Sequence, residues 1–86
     1  MTVKIYTQRI CGYCVNAKRL LDQLGIPYED ISLEGNDQLR AEIMKKSGQR
    51  TVPQIWIGEH HVGGFTELYD LHRSKKLNDV LMQHNG

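Results

Sequence analysis

The two cysteines of this 86-residue chain stand three positions apart, in Cys11-Gly12-Tyr13-Cys14. A pair so spaced suits thiol–disulfide exchange, metal ligation or a plain structural bridge. Its placement favours exchange. Upstream, Val3 and Ile5 alternate with Lys4 and Tyr6, the pattern of a strand. Downstream, Cys14, Ala17, Leu21 and Leu24 recur at spacings of three and four, one face of a helix that Leu20 widens. The pair therefore opens a helix. A cysteine there meets unpaired backbone N–H groups and the positive end of the helix dipole, and both stabilise a thiolate, the nucleophilic form. Cys11 reads as the attacking thiol. Cys14 lies in the first turn on the apolar stripe and reads as the more buried, resolving thiol. It can attack a mixed disulfide on Cys11 or close a disulfide with it.

Zinc and an inert bridge are the lesser readings. A structural zinc site wants two paired ligand sets. There is no second such cysteine pair, and the remaining ligand candidates are His60, His61, His72 and His84. The adjacent His60-His61 does not match the usual histidine spacing, so no metal site is expected. The two histidines read instead as part of an exposed hairpin.

The elements that must position the pair follow along the chain. Gly25 and Pro27 end the first helix. Tyr28 to Ser32 has the length of a second strand, with Ile31 inward. Asn36 or Asp37 can cap a second helix carrying Leu39, Ile43 and Met44, ended by Gly48. Ile55-Trp56-Ile57 is a third strand, with Trp56 and Ile57 core or half-buried, and Gly58-Glu59 turns into a fourth from His60 to Val62. Gly63-Gly64 breaks that strand, and a last helical region starts near Thr66, carrying Leu68, Leu71, Leu77, Val80 and Leu81. Ser74 is placed to cap a separate final helix. The order β-α-β-α-β-β-α(-α) predicts an α/β domain over 1–86, a single four-stranded mixed sheet with a parallel right-handed first unit and an antiparallel later hairpin, covered by helices on both faces.

Composition narrows the class. Apolar residues make 40% of the chain and charged residues 24%, too apolar for disorder. The net charge of +1 argues against a nucleic-acid partner held by bulk charge. Two cysteines are too few for a disulfide-stapled secreted domain. The start of the chain has no signal-peptide pattern and no apolar run could cross a bilayer. The expectation is a cytoplasmic protein with no membrane partner.

Two more stretches carry open readings. In Arg50-Thr51-Val52-Pro53, the proline either starts a strand or forms a cis peptide bond, the minority state by propensity. Gly63-Gly64 before Phe65-Thr66-Glu67 is either a plain loop, favoured from the residues alone, or a helix N-terminus open to an anion. Lys4, Arg9, Arg40 and Arg50 look scattered.

Taken together, the Tyr6-Thr7 strand end, Cys11-Gly12-Tyr13-Cys14, Thr51-Val52-Pro53-Gln54-Ile55 and Gly63-Gly64 make the chain resemble a glutaredoxin of the small bacterial dithiol type over essentially its whole length. The resemblance implies a thioredoxin-like fold with strand order 2-1-3-4, a cis Pro53 and a glutathione groove beside Cys11. It implies that Tyr13, Thr51, Val52 and Pro53 line the groove, with the Val52 backbone pairing with the cysteinyl part of glutathione. Arg40 and Arg50 would stand near the glycine carboxylate, and Gly64, Phe65 and Thr66 would hold the γ-glutamyl end. The implied activity is reduction of protein–glutathione mixed disulfides and protein disulfides by a monomer, with glutathione as co-substrate and no tightly bound cofactor. Two alternatives accompany it: a dimeric carrier of a glutathione-ligated [2Fe–2S] cluster, and a dedicated electron donor to a reductase such as ribonucleotide reductase. Three departures from the family pattern bear on these. Gly12 replaces the commoner proline, Gln8 stands where many members have lysine, and Phe65-Thr66 replaces a Cys-Asp or Ser-Asp pair, leaving Glu67 as a carboxylate one residue late.

Overall fold

The computed structural model describes residues 3–84. Its elements are β1 (Val3–Thr7), α1 (Gly12–Gln23), β2 (Glu29–Ser32), α2 (Asp37–Ser47), β3 (Gln54–Ile57), β4 (His60–Gly63), α3 (Phe65–Arg73) and α4 (Leu77–His84). The strands form one sheet in the order β2-β1-β3-β4. β1 pairs parallel with β2, and β3 pairs antiparallel with both β1 and β4. This is the mixed sheet and strand order expected above.

The period of two along each strand splits the core between the two faces of the sheet. Val3, Ile5, Ile55 and Ile57 meet Ala17, Leu20 and Leu21 of α1, Leu68 of α3 and Leu77 and Leu81 of α4. Tyr6 and Trp56 point the other way and pack with Leu33 and with Ile43 of α2. Helices thus cover both faces, three on one side and α2 on the other.

Local chemistry sets the boundaries. Asn36 Oδ1 accepts the Leu39 N–H at 3.1 Å and caps α2. Gly48 closes that helix in the left-handed region, with φ 73° and its N–H donating to Met44 O at 2.9 Å. At the end of β1, Thr7 Oγ1 donates to Asp30 Oδ1 at 2.7 Å, and Lys18 of α1 reaches the other oxygen at 3.0 Å. Burial works to raise the Asp30 pKa. The bonds from Thr7 and Lys18 and the Lys18 charge outweigh it and hold the carboxyl below its ordinary range.

Three expectations need correction. Ser74 does not open α4. It is the C-cap of α3, its hydroxyl donating back to Leu71 O at 3.2 Å. Gly63 does not break β4 but ends it, opposite Ile55, where the register shifts by a bulge. A side chain is excluded there, because a Cβ would lie 2.7 Å from Glu67 Oε1. The His60-His61 pair is half-buried rather than exposed: His61 packs on Trp56 with ring centroids 4.8 Å apart, and His60 stacks on His84 at 4.1 Å.

Candidate active site

The turn after β1 delivers Cys11 to the N-cap of α1. Its backbone is extended, with φ −156° and ψ 103°, and its Sγ accepts the Cys14 N–H at 3.1 Å. A sulfur in the capping role takes one of the orphan donors of the helix start, and that donor stabilises negative charge on it. Cys14 is 1% exposed, against a half-buried Cys11. The two are joined as a disulfide with Cα atoms 5.2 Å apart. Only Cys11 is presented to a partner, and Cys14 waits beneath it.

A groove of about 220 Å³ runs beside Cys11. Tyr13, Thr51, Val52, Pro53, Gly64, Phe65, Thr66 and Glu67 line it. Val52 O lies 3.8 Å from Cys11 Sγ, which brings the groove wall to the sulfur. The Val52–Pro53 peptide bond is cis. The wall is held from behind by Gln54, whose side chain is 1% exposed and donates through Nε2 to Gln49 O at 3.0 Å. The Ser47 hydroxyl accepts the Gln49 N–H at 3.0 Å and donates to Gln49 O at 3.2 Å, so the segment leading into the wall is fastened at Gln49.

The far wall is the start of α3. Gly64 is its N-cap, so Gly63-Gly64 leads into a helix N-terminus rather than a plain loop. One donor there is already used: the Gly64 N–H donates to Glu67 Oε1 at 2.7 Å. The first residues of α3, Phe65, Thr66 and Glu67, all line the groove. Aromatic rings form the rim, with Tyr13 and Phe65 centroids 6.3 Å apart.

The two arginines stand apart from this groove. Arg40 Nη2 donates to Gln8 Oε1 at 3.2 Å, and the two residues line a separate depression with Arg9, Ile10 and Glu34. Arg50 is exposed and lines neither depression. Gln8 therefore stands beside a cation supplied by α2 instead of carrying one. Gln54, outside the sequence-based set, joins the site as the post behind the wall, and Glu67, expected only as a carboxylate one residue late, is the cap of α3. A buried polar residue inside an apolar strand was the available signal for Gln54. For Glu67 it was the spacing of three from a helix-starting glycine.

Similarity to known proteins follows the same pattern. The family model described as Glutaredoxin matches residues 3–62. A glutaredoxin of Pseudomonas aeruginosa is 49% identical over 79 residues, covering 92% of this chain and 94% of that protein. Glutaredoxin 3 of Escherichia coli is 42% identical over 79 residues, covering 92% and 95%. Among solved structures, a buckwheat glutaredoxin–glutathione complex superposes with a TM-score of 0.86 at 37% identity, covering 94% of this chain and 76% of that one.

Proposed function

The chain belongs to the glutaredoxin family, whose members are in general thiol–disulfide oxidoreductases, and on that premise we propose that it is a glutathione-dependent thiol–disulfide oxidoreductase working through Cys11 and Cys14. The observation that carries this reading is the position of Cys11 Sγ: it caps α1 and lies 3.8 Å from the carbonyl that walls a groove of about 220 Å³. The groove is smaller than a typical enclosed ligand site. It suits an extended tripeptide lying partly on the surface.

In the reaction, the Cys11 thiolate attacks the glutathione sulfur of a protein–glutathione mixed disulfide. The Cys11–glutathione bond forms, the old S–S bond breaks, and the protein leaves as its thiolate. A second glutathione then attacks the sulfur of the first, giving oxidised glutathione and restoring Cys11. With a protein disulfide, Cys11 forms the mixed disulfide and Cys14 displaces the protein, leaving the Cys11–Cys14 bridge for two glutathiones to reduce. In this reading Tyr13, Thr51, Val52, Pro53, Gly64, Phe65 and Thr66 hold the tripeptide. Arg40, held by Gln8, and Arg50 lie outside the groove lining and would meet its glycine carboxylate only where the tripeptide extends beyond the groove. The protein acts as a monomer in a reducing, cytoplasmic compartment.

A glutathione-coupled assay on a cysteine–glutathione mixed disulfide tests this. Turnover that depends on glutathione supports it. Turnover driven by thioredoxin reductase with a flat response to glutathione would replace it with a dedicated reductase donor.

Gly12 favours a second reading. A Cβ there would meet nothing within 4 Å, so the space beside Cys11 is open. With Cys14 buried, each chain offers one accessible thiolate, whereas a [2Fe–2S] cluster takes four. Two chains and two glutathiones would complete the set. Anaerobic reconstitution with iron, sulfide and glutathione decides: visible absorption with a dimer on size exclusion supports a carrier role, and neither appearing rejects it.

A further inference from the structure

Among the described residues, the exposed large apolar side chains are Ile10, Tyr13, Val15, Tyr69 and Met82. Ile10, Tyr13 and Val15 flank the cysteines in the chain, and Tyr69 joins Tyr13 through Phe65. The Tyr13–Phe65 centroid distance is 6.3 Å and the Phe65–Tyr69 distance 5.8 Å, both with the rings near-stacked. Phe65 and Tyr69 are four apart on α3 and so share one face. Tyr13 is 64% exposed and Tyr69 42%, so the contiguous row is open to a partner.

The chemistry says what can cover it. A thiolate attacks a disulfide along the S–S axis, so the leaving sulfur lies beyond the glutathione sulfur, one bond of about 2.05 Å away. The polypeptide bearing that leaving sulfur must lie on the rim of the groove. On the opposite side the groove ends at Thr51, and the chain leading into it is polar, Gln49-Arg50-Thr51. The rim on the helix side is the aromatic row, which shares Tyr13 and Phe65 with the groove and continues past it to Tyr69.

We propose that the row Tyr13–Phe65–Tyr69 is the docking face for the polypeptide around the leaving cysteine, and that it selects glutathionylated proteins with an apolar side chain beside that cysteine. This rests on the glutathione-dependent reading above. Phe65 and Tyr13 serve both surfaces, whereas Tyr69 lies outside the groove and serves only the docking face. The row thus separates recognition of the target from recognition of glutathione.

The test compares wild type, Tyr69→Ser and Tyr69→Phe on three substrates: a cysteine–glutathione mixed disulfide, and two glutathionylated hexapeptides that carry Phe or Ser next to the cysteine. Wild type is expected to prefer the Phe peptide by about tenfold in kcat/KM, expressed in KM. Tyr69→Ser loses most of that preference, Tyr69→Phe keeps it, and all three proteins turn over the cysteine–glutathione disulfide equally. A wild-type ratio near one, or a preference that survives in Tyr69→Ser, overturns the docking face while leaving the activity in place. Failure of wild type on the cysteine–glutathione disulfide overturns the activity itself, and this inference with it.

Discussion

The side-chain amide of Gln54 donates to the backbone carbonyl of Gln49 at 3.0 Å, from a position 1% exposed at the start of β3. It ties the groove wall to the sheet. Gln54→Leu keeps the volume but leaves the Gln49 carbonyl without this partner. The Gln49 carbonyl still has the Ser47 hydroxyl at 3.2 Å, so the change is expected to destabilise the fold by about 0.5–1.5 kcal/mol in urea unfolding and to raise KM for glutathionylated substrates more than it lowers kcat. An unchanged KM would show that the wall holds its shape without Gln54.

Gly12 is the first helical residue of α1, where proline is favoured, since its missing N–H is one of the orphans. The extended backbone at Cys11 suits a following proline, and the space above Gly12 is open. Gly12→Pro is expected to stabilise the protein by about 0.4–1 kcal/mol through the unfolded chain, read as a higher Tm. A lower Tm would mean that α1 starts differently.

Glu67 caps α3 through the Gly64 N–H at 2.7 Å, and glycine has no side chain to reciprocate. Glu67→Ala is expected to cost about 1 kcal/mol, whereas Glu67→Gln, which keeps an acceptor oxygen, costs under about half of that. Equal losses in the two variants, measured by denaturant midpoint, would show that the charge rather than the hydrogen bond matters.

How far the sequence carried these conclusions varies by residue. Cys11, Cys14 and the apolar stripe were legible because helical spacing and the preceding strand place them without reference to distant residues. The two-sided sheet followed from the order of elements. Ser74 was misplaced because a serine hydroxyl caps a helix start or bonds back to a helix end with equal ease, and its neighbours decide. The half-burial of His60 and His61 depends on Trp56 and His84, which no local pattern links to them. The Gln8–Arg40 bond joins residues 32 apart and is invisible to spacing.

Those histidines give the protein a pH signature. Burial lowers the pKa of His60, and the nearby His84 charge adds to it; burial and the His60 charge lower that of His61 against an opposing pull from Glu67. The unfolded chain therefore binds protons first as pH falls. The stability present above the ordinary histidine value, about 6.5, is lost as pH drops through that value toward the lower folded ones. Asp30 contributes in the same sense, but only below its ordinary value of 3.8. Urea midpoints are expected to fall between pH 7.5 and 5, and His61→Phe should flatten that dependence. A midpoint that is level across this range in the native sequence would contradict the assignment.

The division of labour between the cysteines is the centre of the account, and one measurement addresses it directly: glutathione-coupled turnover of a glutathionylated peptide by Cys11→Ser and Cys14→Ser. Cys14→Ser is expected to retain deglutathionylation, because the one accessible thiolate, that of Cys11, suffices for that exchange. Cys11→Ser is expected to lose it, because the remaining sulfur is buried at 1% exposure. Activity surviving in Cys11→Ser, or vanishing in Cys14→Ser, would contradict the roles assigned here.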